Sequence, residues 1–293
     1  MKHRLNKEDK RLLIFILVPV VLYLFVIQGS NFLWSISVSL TNKSIGQSGN
    51  FVWFKNFLDL FKENVYWESM LFTLVYSATA VIFKLIFGTL LALTLNQPLI
   101  GKNLYRSLLF LPWALPIFTS ALTWRWMFGD VGGVISYLLM QAGIIKFPLG
   151  WLGVPNLAKI SVITVNIWRG IPFFAIIILA TLQSIPISVY EAAHIDGASS
   201  WESFWRITLP NIKSVVILVS LVSTIWTLGD FSIIWLMTRG GPANSTHVFS
   251  TYSYIVAFQN FNISKGIAIS LSIVPFSILF MLFAMKYIFS SEN

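Results

Sequence analysis

The 293-residue sequence has no cysteine, so disulfides, iron–sulfur clusters and thiol catalysis are excluded at the outset. It is also poor in charge. Asp, Glu, Lys and Arg make up 11% of the chain, against about a quarter in soluble domains. So few polar residues cannot cover a globule of this length, and much of the surface has to face lipid. The three histidines, His3, His194 and His247, lie outside the apolar runs, and no H-E-x-x-H is present, so a histidine-based intramembrane protease or metalloenzyme is disfavoured. There is no G-x-x-x-x-G-K-[ST] loop to cradle phosphates, so ATP chemistry is not expected in this chain.

Apolar residues, by contrast, reach 56% and the mean hydropathy is +0.77. A run of about 20 apolar residues is enough to cross a bilayer core. The pattern predicts an all-α polytopic membrane protein with six transmembrane helices, at about 12–35, 69–96, 105–128, 157–183, 212–238 and 266–290. The start, "MKHRLNKEDKRLLIFILVPVVLYLFVI", has the basic-then-apolar order of a signal peptide without a prompt small-x-small cleavage site, and is read as a retained signal anchor. Glycines and prolines interrupt 130–156, which is expected to be a loop with a short interfacial helix.

The net charge of +9 is spread between hydrophobic runs instead of gathered with aromatics on one face, which argues against a nucleic-acid partner and for a topology signal. Lys2, Arg4, Lys7, Lys10, Arg11, Lys102, Arg106, Arg206, Lys213 and Lys286 fall on one side of the predicted spans. Lys43, Lys55, Lys62, Lys146, Arg239 and Lys265 fall on the other, in longer loops. The richer side is expected to be cytoplasmic and to hold both termini.

One cytoplasmic stretch is conspicuously polar: "EAAHIDGASSWESFWRITLP", residues 191–210, between the fourth and fifth predicted spans. Pro186 should end the fourth span. Ser188 and Glu191 then have capping-box spacing, Gly197 suits a left-handed stop, and Ser199 and Glu202 repeat the box. Two short helices with a glycine hinge follow, the second bearing a stripe of Trp201, Phe204, Trp205 and Thr208. Helices this short are marginal alone, so they must pack on the spans, the membrane surface or a partner. An interfacial elbow is as consistent with the periodicity as a docking element.

The spacing E-A-A, three residues, Gly, nine residues, I-x-L-P is met by Glu191, Ala192, Ala193, Gly197, Ile207, Leu209 and Pro210. It resembles the EAA loop of permease subunits of binding-protein-dependent ABC importers. The extended forms "YEAAHIDGASSWESFWRITLP" and "LMTRGGP", with Thr246 downstream, look like the carbohydrate-uptake branch of maltose- and glycerol-phosphate-type permeases. The resemblance covers roughly residues 66–293. It implies a permease domain of five spans over 66–293 with a coupling loop at 188–210, preceded by a tail, first span and outer loop over 1–65. It also implies that Glu191, Ala192, Ala193, Asp196, Gly197 and Ala198 dock into a separate ATPase. Ile207, Leu209 and Pro210 would then join the second loop helix to the fifth span.

The implied partners are a second homologous permease subunit, two ATPase subunits that bind ATP and Mg, an extracytoplasmic solute-binding protein, membrane lipid and a carbohydrate substrate. No cofactor is expected in this chain. The implied location is a bacterial or archaeal cytoplasmic membrane, and ATP hydrolysis belongs to the partner.

Within the predicted spans, Arg169 in "NIWRGIPF" and Asp230 in "TLGDFSI" sit at roughly 12–14 Å depth in the outer half, from about 1.5 Å per residue. Charges at that depth face a bundle interior or a water path. Arg169 and Asp230 are therefore expected either to pair or to line the translocation path, with Asn166 one turn from Arg169. Lys84, near the middle of the second span, has three open readings: facing the interior, snorkelling inward or meeting the second permease. Most tryptophans, including Trp113, Trp124, Trp126, Trp151 and Trp235, are expected in the aromatic belt. Trp168 and Trp226, inside spans, are the candidates for stacking on a sugar. Pro112 and Pro116 are expected to kink the third span. An ion-gradient-driven secondary transporter is the competing function, but it needs coupling carboxylates and often an inverted repeat; Asp230 is the single good candidate and no repeat is detected.

Overall fold

The computed structural model describes residues 7–98 and 100–290, so the topology charges Lys2 and Arg4 lie outside the described residues. Among the described residues the regular structure is helical apart from one isolated bridge, Thr41 to Phe51. Among the described residues five helices are long and apolar enough to cross a membrane: Arg11–Ser39, Asn64–Asn96, Pro155–Leu182, Ser200–Leu228 and Ile263–Lys286. A sixth crossing is supplied only if the pair Asn103–Ala114 and Ile117–Met127 is counted as one span, and that pair is bent by 89°.

This bend is far sharper than a kink, and one proline causes it. Pro112 sits inside a continuous helix, Lys102–Ala114. Pro116 offers no N–H and forces Leu115 into extended backbone, φ −66° and ψ 140°, so the helix stops and restarts at Ile117. The fifth predicted span, 212–238, is also divided. Its helix begins at Ser200, ends at Leu228 and resumes as Ser232–Met237, leaving Gly229, Asp230 and Phe231 between the two pieces. Asp230 therefore occupies a helix break, a place where backbone groups become available to side chains. The predicted short helix in 130–156 is present as Val134–Gln141.

The chain forms two compact units. One comprises residues 1–62 and 253–271, the other 63–252 and 272–293. In the first, Ser264 is fully buried and ties the segment after the first long helix: its Oγ lies 2.9 Å from Thr41 Oγ1 and accepts from Lys43 N at 2.8 Å. Asn56 adds bonds from Nδ2 to Ser39 O and Thr41 O, both 2.7 Å.

In the second unit the helices Asn64–Asn96 and Pro155–Leu182 lie against each other along much of their length. Inside a bilayer lipid is as apolar as the helix face, so close backbone approach must do what hydrophobic burial does in water. Gly88 provides it: a Cβ there would stand 2.4 Å from Phe174 Cβ. Leu95, Ile178, Leu182 and Ile212 form one apolar cluster; Tyr76, Phe128, Val162, Val165 and Ile234 belong to another.

Candidate functional site

Two places carry the predicted functional residues. The first is the polar loop. Its first helix is Ile187–Ile195, starting two residues earlier than the capping-box spacing predicts. The Ser188–Glu191 capping box does not form. Pro186 occupies the N-cap with extended backbone, which puts Ser188 inside the first turn, where its hydroxyl cannot reach the free N–H groups as a cap. The stop is as expected: Gly197 has φ +82°, Ala198 N bonds Ala193 O at 2.9 Å and Gly197 N bonds His194 O at 3.1 Å, which together make a Schellman motif.

The second box forms in full. Glu202 N donates to Ser199 Oγ at 3.3 Å, and Ser199 N donates to Glu202 Oε2 at 2.9 Å. The second helix does not end at Pro210. It runs from Ser200 into the long helix through a π-turn, Phe204–Thr208, that closes with Leu209 N on Phe204 O. The wider turn brings the chain to Pro210 at the first turn of Leu209–Leu228, where a missing N–H is tolerated.

Glu191, Ala192, Asp196, Gly197 and Pro210 are exposed, while Ala193, Ala198, Ile207 and Leu209 are half-buried. On the same loop Ile187 is 74% and Ile195 85% exposed. A stiff, doubly capped element thus presents small, apolar and acidic side chains outward.

The second place is a cavity of ≈ 400 Å³ in the second unit, lined by Lys84, Trp113, Asn166, Arg169, Trp226 and Asp230 among others. That volume falls within the range of about 300–1,000 Å³ usual for ligand pockets. Arg169 and Asp230 both line it but do not hydrogen-bond each other. Arg169 Nη1 donates to Leu115 O at 2.8 Å and Pro112 O at 3.2 Å. These are carbonyls that the break at Pro116 strips of their helical donors, so the guanidinium caps the negative end of the broken helix.

Asp230 Oδ2 accepts from Tyr76 Oη at 2.6 Å and from Asn166 Nδ2 at 3.0 Å, and Asp230 Oδ1 receives Ile233 N at 3.4 Å. Asn166 Nδ2 also reaches Tyr76 Oη at 2.7 Å. Lys84 is buried and faces the interior: its Nζ donates to Thr227 Oγ1 at 3.2 Å and Ser223 Oγ at 3.3 Å. Gly170 makes this possible, because a Cβ there would stand 2.4 Å from Lys84 Cε.

Trp226 is on the cavity wall, as is Trp113, which the sequence pattern assigns to the belt and which stacks on Phe173 with centroids 6.2 Å apart. Trp168 is absent from the lining and packs edge-on against Trp124 at 5.3 Å. Tyr76, Ser223 and Thr227 carried no sequence signal; each is an ordinary residue of an apolar helix until the fold gives it a charged neighbour.

The "LMTRGGP" segment folds on itself. Arg239 and Gly240 have φ +54° and +87°. Thr246 is fully buried, 2.7 Å from Thr238 Oγ1 and donating to Gly241 O at 2.7 Å. The His247 ring fills the space a Gly240 side chain would need, and burial pushes its imidazole down to about 4.

Residues 84–288 match the family described as the binding-protein-dependent transport system inner membrane component. The trehalose/maltose transport system permease protein MalF of Thermococcus litoralis is 36% identical over 239 residues, 81% of this chain and 79% of that protein. The lactose transport system permease protein LacF of Rhizobium radiobacter is 35% identical over 207 residues, covering 70% of this chain and 69% of LacF. Among solved structures, a chain of the bacterial alginate ABC transporter in complex with an alginate pentasaccharide-bound periplasmic protein superposes with a TM-score of 0.79. At 24% identity over 96% of each chain, that likeness establishes the fold.

Proposed function

The chain belongs to the binding-protein-dependent transport system inner membrane component family, and from that premise we propose that it is the membrane subunit of an ATP-driven sugar importer. The observation that carries the proposal is the exposed loop helix bearing Glu191, Ala192 and Ala193, capped at both ends of its hinge and placed directly before a membrane-length helix. The sugar-uptake relatives MalF and LacF support the substrate class. In this reading Glu191, Ala192, Ala193, Asp196, Gly197 and Ala198 meet a separate ATPase that holds ATP and Mg. Ile207, Leu209 and Pro210 pass the motion into the Ser200–Leu228 helix.

Asn166, Arg169, Trp226 and Asp230 line the path, joined by Lys84 and Trp113. The path is completed by a second homologous permease, with two ATPase copies and an extracytoplasmic binding protein delivering the sugar. Both termini face the cytoplasm. ATP binding closes the motor, and a two-state motion of the spans alternates access.

The test is assembly. The wild-type chain, expressed with the other subunits, is expected to co-purify with an ATPase, and Glu191→Lys or Gly197→Trp to abolish that association while the chain still inserts in the membrane. Transport by the purified chain alone in liposomes, driven by an ion gradient, overturns the proposal in favour of a secondary transporter.

A further inference from the structure

The loop helix Ile187–Ile195 has two connections to the helix that follows it. One is covalent, residues 196–199, held by backbone caps and exposed apart from the half-buried Ala198, with open space around Gly197. The other is a side-chain tie. Tyr190, the residue before Glu191, brings its Oη to 3.0 Å from Thr208 Oγ1, 18 residues further along. Thr208 is the last residue of the π-turn Phe204–Thr208 and is 4% exposed on a loop that is otherwise open. Its hydroxyl also donates to Ser203 O at 3.4 Å, across the turn itself, which leaves Tyr190 as the donor in the tie. One helical turn beyond Thr208 is Ile212, fully buried in the apolar cluster with Leu95, Ile178 and Leu182.

A π-turn is where a helix holds one residue more than its regular ladder accommodates, and such turns gather at functional positions. Here the turn closes with Leu209 N on Phe204 O, and the tie lands on Thr208, its last residue. A force on the loop helix can turn about the glycine linkage without moving the long helix. It cannot do so without stretching the hydrogen bond from Tyr190 to Thr208.

We infer that Tyr190 is a positioning residue: through Thr208 it fixes the loop helix to the π-turn, so that displacement of the loop is delivered to the Ser200–Leu228 helix instead of being absorbed at Gly197. The inference rests on the reading of the loop as the ATPase contact. The exposed Glu191 and Ala192, with Ala193, would supply the contact, and the half-buried Tyr190 the transmission.

Two readouts separate the parts. Tyr190→Phe keeps the ring and removes the hydroxyl; Thr208→Val keeps the shape and removes the acceptor. In the assembled complex each variant is expected to keep ATPase co-purification and to lower sugar transported per ATP by roughly threefold to tenfold, the scale of one neutral hydrogen bond. The double variant is expected to fall no further than the worse single one, because the same bond is lost. Hydrogen exchange at the 187–195 amides of the purified chain is expected to quicken in Tyr190→Phe. Unchanged exchange, an unchanged transport-to-ATP ratio, or additive losses in the double variant overturn the inference. Failure of the wild-type chain to assemble with any ATPase is a different result, and it removes the coupling reading itself.

Discussion

The loop at 187–210 and the cavity lined by Arg169 both gather polar side chains in an apolar chain, yet they are built on opposite principles. In the loop nearly every polar contact closes within six residues: the Schellman bonds at Gly197, the Ser199–Glu202 box and the π-turn. In the cavity the contacts join distant parts of the chain. Arg169 to Pro112 spans 57 residues, Lys84 to Ser223 spans 139 and Tyr76 to Asp230 spans 154. The loop is a local object that the sequence specifies by itself, exposed and shaped for something outside the chain. The cavity exists only after the long helices pack, and its charges are satisfied from within. A substitution in the cavity should therefore act on the fold, and one in the loop on the partner.

Gly88→Leu tests the first half most severely. Its Cβ would stand 2.4 Å from Phe174 Cβ and 3.3 Å from Ala175 N, neither of which is a flexible side-chain end. The helices Asn64–Asn96 and Pro155–Leu182 would have to separate, at an expected cost of about 3 kcal/mol. A fall in the thermal unfolding midpoint of the purified chain in detergent measures it. A midpoint unchanged from wild type would break the comparison, because the cavity would then not depend on that packing.

Arg169→Met comes next. It leaves the carbonyls of Pro112 and Leu115 at the 89° bend without their donor, an expected loss of about 2 kcal/mol for bonds from a charged group. Arg169→Lys should recover part of it, since an ammonium still faces the helix end but lacks the planar fork. If Met and Arg are equally stable, the guanidinium is not holding the bend, and its place on the cavity wall needs another reason.

These differences explain what could be read beforehand. The stop at Gly197 and the Ser199–Glu202 box were legible because their partners lie within the same few residues. The Ser188–Glu191 box had the same spacing, but Pro186 set the helix start two residues too early, a competition between two local signals that spacing alone does not rank. The long apolar helices were legible from hydropathy. A kink near Pro116 was legible, but its sharpness and the break at Asp230 were not, because prolines and glycines are often carried inside membrane helices, as Pro112 and Gly170 are here. Asn166, Arg169 and Asp230 announced themselves as polar groups at depth, whereas Tyr76 and Thr227 became part of the site only through neighbours supplied by other helices. Trp113 lines the cavity and Trp168 does not, and proximity to a span end does not say which side of the helix a ring occupies.

The smallest effect is expected in the loop itself, and it isolates a single physical term. Gly197 has φ +82° and a Cβ placed there meets nothing within 4 Å, so Gly197→Ala introduces backbone strain without any clash. The expected cost is about 1 kcal/mol, the penalty of a side chain in the left-handed region. Gly197→Asn should cost less than Ala, because asparagine visits that region more readily. Hydrogen exchange at the Gly197 and Ala198 amides, which make the two Schellman bonds, reads the order directly: slowest in Gly, then Asn, then Ala. The global unfolding midpoint should barely move, since the loop buries little. A midpoint shift as large as that of Gly88→Leu would mean that the loop is welded to the helical core, and the division between a locally built docking element and a packed cavity would fail at its most sensitive residue.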